Sequence, residues 1–112
     1  GSAAVIVFSE QDAARDLALN AMRFFEHESC GQCTPCREGS LWIDKALHRM
    51  THGGARPEDT EYLLHIAKNI QGRTICAFGE ACAWPVLSFI DKFRDDFEAK
   101  ATDKTKKETV NA

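Results

Sequence analysis

The residues in this chain with the clearest chemistry are Cys30, Cys33 and Cys36, in the run Ser29-Cys30-Gly31-Gln32-Cys33-Thr34-Pro35-Cys36-Arg37-Glu38-Gly39. At C-x-x-C-x-x-C spacing, three thiolates can converge on one small object. Soft sulfur donors favour an iron–sulfur cluster or zinc. A bacterial-ferredoxin pattern would place a fourth cysteine four residues on, but Ser40 stands there. Zinc sites more often pair two separated C-x-x-C units, whereas a triplet suits three corners of a cuboidal cluster.

A fourth ligand must therefore come from elsewhere, and Cys76 and Cys82 are the candidates. Cys76 lies in the turn-rich run Gly72-Arg73-Thr74-Ile75-Cys76-Ala77-Phe78-Gly79. A loop can carry a ligand across to a cluster held by another loop, so Cys76 is the favoured fourth sulfur. Cys82, in Glu80-Ala81-Cys82-Ala83-Trp84-Pro85, reads as a small buried thiol at the start of a helix, with a ligand role as the alternative. The helix beginning at Pro35 is expected to aim free N–H groups at the cluster. Arg37 either adds a cation near the sulfurs or pairs with Glu38 or Glu28. His27 reads as a solvent-facing helix end. His48, His52 and His65 read as surface residues on separate elements without ligand spacing, and Trp42 and Trp84 as packing residues.

Those sulfurs need a scaffold, and the sequence predicts a small four-helix bundle, all-α, preceded by one orphan β-strand. The β-branched run Ala3-Ala4-Val5-Ile6-Val7-Phe8 reads as that strand, the end of a segment covering 1–8. A lone strand cannot satisfy its own hydrogen bonds, so its ladder partners are expected outside this sequence, as in a fragment or a docked terminus. The helical domain spans 9–98. Its first helix is expected from Ser9 to His27, capped by Ser9 or Asp12, with Ala14, Leu17, Ala18, Ala21, Phe24 and Phe25 inward. The second has Thr34 as cap and Pro35 as first residue, with Ile43, Ala46, Leu47 and Met50 inward, and ends at Gly53-Gly54. A third runs from about Pro57 to Gln71 with Leu63, Ile66, Ala67 and Ile70 inward, stopped by Gly72. The fourth starts near Pro85, carries Val86, Phe89, Ile90, Phe93 and Phe97 on one face, and fades by Lys100. Residues 99–112, rich in Lys, Thr and Glu, are expected to be a disordered tail.

Composition excludes several function classes. A net charge of −3 argues against nucleic-acid binding, which leaves a basic footprint. No apolar run approaches the ~20 residues of a membrane span, so direct membrane insertion is not expected. Five cysteines, three of them crowded into one loop, do not make a disulfide framework; a reducing compartment with a metal centre fits better. There is no Ser/His/Asp arrangement and no glycine-rich phosphate loop. Glu58, Asp59 and Glu61 gather at a helix start, as capping charge.

The run Glu28 to Gly39, with Thr74-Ile75-Cys76-Ala77-Phe78-Gly79-Glu80 and Ala83-Trp84-Pro85-Val86, resembles the NADH-binding flavoprotein subunit of respiratory complex I. Related subunits occur in NAD-dependent hydrogenases and formate dehydrogenases. The resemblance covers about Gly1 to Glu98. It implies a C-terminal helical bundle holding a [4Fe–4S] cluster on Cys30, Cys33, Cys36 and Cys76, after a β-grasp-like domain whose end the first residues resemble. It also implies the flow of electrons: NADH reduces FMN in an upstream domain, the flavin releases electrons singly, and the cluster forwards them through iron–sulfur subunits toward quinone. The implied partners are the upstream flavin domain and neighbouring iron–sulfur subunits. The implied location is the peripheral arm, on the cytoplasmic side of a bacterial inner membrane or the mitochondrial matrix side. The segments that bind NAD(H) and FMN are missing, so this chain alone is not expected to oxidise NADH. Cys82 departs from the small residue usual there and adds an oxidisable thiol. The competing readings are a structural zinc docking domain on the same four thiolates and a metal-free helical module.

Overall fold

A computed structural model of the chain describes the backbone of residues 3–111 and the side chains of residues 3–98. Four helices follow one another: α1 Ala14–Glu28, α2 Thr34–Thr51, α3 Asp59–Ile70 and α4 Phe78–Asn111. All pairs pack together except α1 and α3, so the bundle is a square closed across the α2–α4 diagonal. The residues at its centre are Met22, Ile43, Leu47, Met50, Leu63, Ile70, Ile90 and Phe97, all essentially without solvent exposure. Burial of each such side chain contributes about 1.5–3 kcal/mol.

In α2 and α3 the inward faces are those the apolar spacing predicts. In α1 the buried stripe is rotated. Ala14 and Ala18 are inside, but with Arg15, Leu19 and Met22, while Phe24 is 60% exposed and packs its edge on Phe25. Both stripes have helical period, so periodicity alone does not separate faces about 100° apart.

The N-terminus of α1 also differs from expectation. Ser9 and Asp12 form a local turn, in which Asp12 Oδ2 accepts the Ser9 N–H at 3.0 Å, and neither caps the helix. Ala13 is the cap residue and makes no side-chain hydrogen bond. The α1 donor Ala14 N–H is instead taken by Asp96 Oδ2 of α4 at 2.7 Å, and Arg15 Nη1 donates to the Asp96 carbonyl at 3.0 Å.

The start of α4 is a second correction. It begins at Phe78, seven residues before Pro85, which lies inside the helix. Proline lacks the N–H that would reach the carbonyl four residues back, so Pro85 resembles a start signal in sequence. The run Gly79 to Ala83 nonetheless takes helical form, with Cys82 and Ala83 packed into the core. At Phe93 the backbone departs from helical values (φ −126°, ψ 35°), where the ring meets Phe8 and Phe89.

Residues 3–8 form no strand, and there is none among the described residues. Val5, Ile6 and Val7 are more than 80% exposed, while Phe8 is held by the Phe89 and Phe93 rings. Gly1 and Ser2 lie outside the described residues. The α4 backbone is helical to Asn111, and the tail expected over 99–112 falls on residues whose side chains lie outside the description. Among the described residues no helix is long and apolar enough to cross a membrane.

Candidate metal centre

The cysteine triplet occupies the corner between α1 and α2. Helix α1 closes at Ser29, whose N–H donates to the Phe25 carbonyl at 3.0 Å. Gly31 then turns the chain with φ +81°, a left-handed conformation that side-chain-bearing residues rarely adopt. Arg37 reaches back from α2 and donates to the Gly31 carbonyl at 2.8 Å, while its Nε pairs with Glu38 at 3.1 Å. Arg37 thus serves as a strap on the Cys30–Cys33 turn and an ion-pair partner of Glu38.

Cys33, not Thr34, is the N-cap of α2, with Pro35 in the first helical turn. The one-residue shift arises because Cys33 takes the extended cap conformation (φ −93°, ψ 126°) and its carbonyl accepts the Arg37 N–H at 2.9 Å. No side chain caps this end and no acidic residue lies in its first turn. The positive pole of α2 is therefore left to whatever anion the cysteines hold. By contrast α3 opens with Asp59 and Glu61.

Cys76 arrives from the α3–α4 connection. Gly72 leaves α3 with φ +74°, and its N–H is taken by the Glu80 carboxylate. Thr74 Oγ1 donates to the Cys76 carbonyl at 3.0 Å. A Cβ on Gly79 would collide with the Thr74 side chain, so only glycine lets α4 start against this loop. The loop is tied to the triplet directly, because the Ile75 N–H donates to Cys33 Sγ at 3.4 Å.

Cys30, Cys33, Cys36 and Cys76 all line one cavity of about 210 Å³, together with Ser29, Thr74 and Phe78. Cys36 is buried, Cys33 half-buried, and Cys30 and Cys76 are exposed, so the cavity has a protected floor and an open rim. Among the described residues no three ligating side chains converge on a single ion position. The four residues share a cavity lining, and their soft sulfur donors fit an iron–sulfur cluster.

Cys82 is not among the residues lining this cavity. It is fully buried, and burial first, the neighbouring Cys36 second, pushes its thiol up to about 12. Lying outside the lining that the other four cysteines share, it is not among the candidate ligands.

Several other residues depart from expectation. His48 and His52 share the end of α2, with rings stacked at 4.1 Å, rather than lying on separate elements; spacing of four along one helix was the signal. Trp42 and Trp84 are about half exposed and line surface grooves instead of the core. His27 is exposed, as predicted. Sequence reasoning missed Ser29, whose Oγ lies 3.3 Å from Cys36 Sγ, and its adjacency to Cys30 was the one available hint. The donor from Ile75 and the Gly79–Thr74 contact left no signal, because they arise between segments brought together only by the fold.

The sequence pattern of the NADH-ubiquinone oxidoreductase-F iron-sulfur binding region matches residues 16–100. Among curated relatives, the mitochondrial NADH-ubiquinone oxidoreductase 51 kDa subunit of Aspergillus niger is 44% identical over 106 residues, covering 95% of this chain and 21% of that protein. The mitochondrial NADH dehydrogenase [ubiquinone] flavoprotein 1 of Dictyostelium discoideum is 44% identical over 98 residues, covering 88% of this chain and 20% of that protein. An NADH-quinone oxidoreductase subunit of Rhizobium meliloti (strain 1021) is 39% identical, covering 97% of this chain and 25% of that protein. The chain therefore spans about a quarter or less of the length of the curated relatives it matches. In solved structures, a chain of an air-oxidised NAD+-reducing [NiFe]-hydrogenase superposes with TM-score 0.79 at 35% identity, over 84% of this chain and 17% of that one.

Proposed function

The chain belongs to the NADH-ubiquinone oxidoreductase-F iron-sulfur binding region family, whose cofactor is a [4Fe–4S] cluster, and from that premise we propose that it is an electron-transfer module. Its ligands are Cys30, Cys33, Cys36 and Cys76. The observation that carries this reading is the common cavity lined by all four cysteines, one of them from a loop forty positions beyond the others. When bound, the cluster supplies a one-electron redox couple, and no bond is made or broken at the protein.

The chain's own residues have separable tasks. Cys33 and the uncapped start of α2 offer a thiolate beside the positive pole of a helix, which favours an anionic group. Gly31 and Arg37 hold the three-cysteine turn in shape. Ile75 lends an N–H to Cys33 and so locks the second ligand loop against the first. Burial of Cys36 keeps water from one side of the site, while exposed Cys30 and Cys76 leave an edge close to solvent, where electrons can pass to and from partners.

Within a whole subunit, the electrons come from FMN reduced by NADH in an upstream domain and pass singly to iron–sulfur centres of neighbouring subunits, toward quinone. The apolar residues Val5, Ile6 and Val7 are then the end of that upstream domain, a strand that pairs with its sheet. The setting is the peripheral arm of NADH:quinone oxidoreductase, on the cytoplasmic face of a bacterial inner membrane or the mitochondrial matrix face. A second setting, the flavoprotein subunit of an NAD-dependent hydrogenase, is supported by the likeness to the hydrogenase chain. Co-purification of the whole subunit with quinone-reducing or with hydrogen-oxidising partners separates the two.

The test is anaerobic preparation of the chain with iron and sulfide analysis. We expect about four irons and four acid-labile sulfides per chain. Cys76→Ser is expected to lose most of the cluster, and Cys82→Ser to retain it. A single zinc without sulfide would replace this reading by a structural docking domain.

A further inference from the structure

Ser29 sits where α1 ends, one residue before the first cysteine, with its side chain half-buried. Its hydroxyl has two neighbours. The Gly31 N–H donates to Ser29 Oγ at 3.3 Å, and Ser29 Oγ lies 3.3 Å from Cys36 Sγ. Cys36 is the most buried of the four cavity cysteines.

A thiol and a hydroxyl can exchange donor and acceptor roles, but a ligating thiolate has no proton to give. With Cys36 bound as thiolate, the contact can only run from Ser29 O–H to Cys36 Sγ. The hydroxyl oxygen is meanwhile occupied by the Gly31 N–H, so its single proton is directed at the sulfur. The left-handed Gly31 (φ +81°) and the Arg37 strap on its carbonyl hold that relay in place. The result is a chain Gly31 N–H to Ser29 O–H to Cys36 Sγ in which each bond polarises the next.

A hydrogen bond to a cluster sulfur favours the more negative oxidation level, and burial strengthens the effect. We propose that Ser29 is a positioning residue that raises the reduction potential of the cluster by donating its hydroxyl proton to Cys36. This rests on Cys36 being a cluster ligand, as argued above. The Ile75 N–H acts on Cys33 in the same sense, but it is a main-chain group that side-chain replacement does not remove. Ser29 is the side-chain element of this tuning.

The experiment uses the full chain, loaded with cluster anaerobically, in wild-type, Ser29→Ala, Ser29→Thr and Ser29→Val forms. Potentiometric titration is followed by the paramagnetic signal of the reduced state, and iron and sulfide are counted in each preparation. Ala removes the hydroxyl and Thr keeps it, while Thr and Val differ only in it, so a fault caused by side-chain shape appears in both β-branched forms. We expect the reduced-to-oxidised ratio at fixed potential to fall by up to about tenfold, that is ~59 mV for one electron, in Ser29→Ala and in Ser29→Val relative to Ser29→Thr. Ser29→Thr should titrate like wild type. An unshifted midpoint in a fully loaded hydroxyl-free form overturns the proposal. So does failure of both hydroxyl-free forms to load while both hydroxyl forms load, since Ser29 would then serve assembly. A wild-type chain without iron and sulfide removes the cluster reading itself, a result distinct from either.

Discussion

The Ile75 N–H donates to Cys33 Sγ at 3.4 Å, joining two residues 42 positions apart. This bond brings the loop of the distant cysteine to the corner where the triplet turns into α2. The donor is main chain and the acceptor a candidate ligand, so the contact both assembles the site and supplies it with a dipole. Neighbouring residues keep the loop in that place, and they can be tested one by one.

Gly79 is the tightest of these. Gly79→Ala drives a Cβ into Thr74 Oγ1 and places it 2.7 Å from Thr74 Cγ2. The loop must shift, at a cost of about 1–3 kcal/mol, and Cys76 shifts with it. Iron content per chain is expected to fall. The double variant Thr74→Ala/Gly79→Ala should recover part of the loss, because Oγ1 and Cγ2 are gone and only the Thr74 Cβ contact at 2.9 Å remains; no recovery would mean that Gly79 acts by another route.

Cys82 supplies a pH dependence. Its thiol stands at about 12, raised from 9.0 by burial and by Cys36. The unfolded chain releases this proton near its ordinary value while the folded chain keeps it, so the unfolded state binds fewer protons in that interval. The protonated thiol's contribution to stability is therefore complete below about pH 9 and lost progressively toward about pH 12, with a slope of at most ~1.4 kcal/mol per pH unit. Urea unfolding under reducing conditions should show the wild type losing stability above about pH 9 faster than Cys82→Ala. Equal slopes would contradict the assignment.

Asp59 is a fully buried carboxylate at the start of α3, paired with Arg49 at 2.5 Å and Arg56 at 3.1 Å and accepting the Arg56 N–H at 2.8 Å. It locks the end of α2 to the beginning of α3. Asp59→Ala is expected to cost about 2–3 kcal/mol in urea unfolding, less than for wholly buried pairs because both guanidiniums reach solvent. Arg56→Ala should cost less still, since Arg49 and the main-chain N–H remain.

Asp96 caps α1 from across the bundle through Ala14 N–H. Asp96→Ala should lower stability by about 0.5–2 kcal/mol, and Asp96→Asn by less, since an amide oxygen still accepts the bond. A thermal shift that is the same for both variants would show that the charge at the helix N-terminus, rather than the hydrogen bond, carries the effect.

Four helices, the inward faces of α2 and α3, and the four candidate sulfurs that come to line one cavity were legible in the sequence alone. They follow from local rules: a period of 3.6 for helices, glycine where φ is positive at Gly72, and a C-x-x-C-x-x-C spacing that suits a metal-binding loop, with Cys76 singled out by its turn-rich run. What the sequence left open was decided by contacts between distant segments. The α1 stripe could lie on either of two faces until α2 and α4 selected Leu19 and Met22 for the core. Pro85 resembled a helix start until the packing of Cys82 and Ala83 carried α4 back to Phe78. The α1 cap came from Asp96, and a donor for Cys33 from Ile75. Backbone propensity acts over a few residues, whereas hydrogen bonds across 42 and 82 positions exist only once burial has brought their partners together.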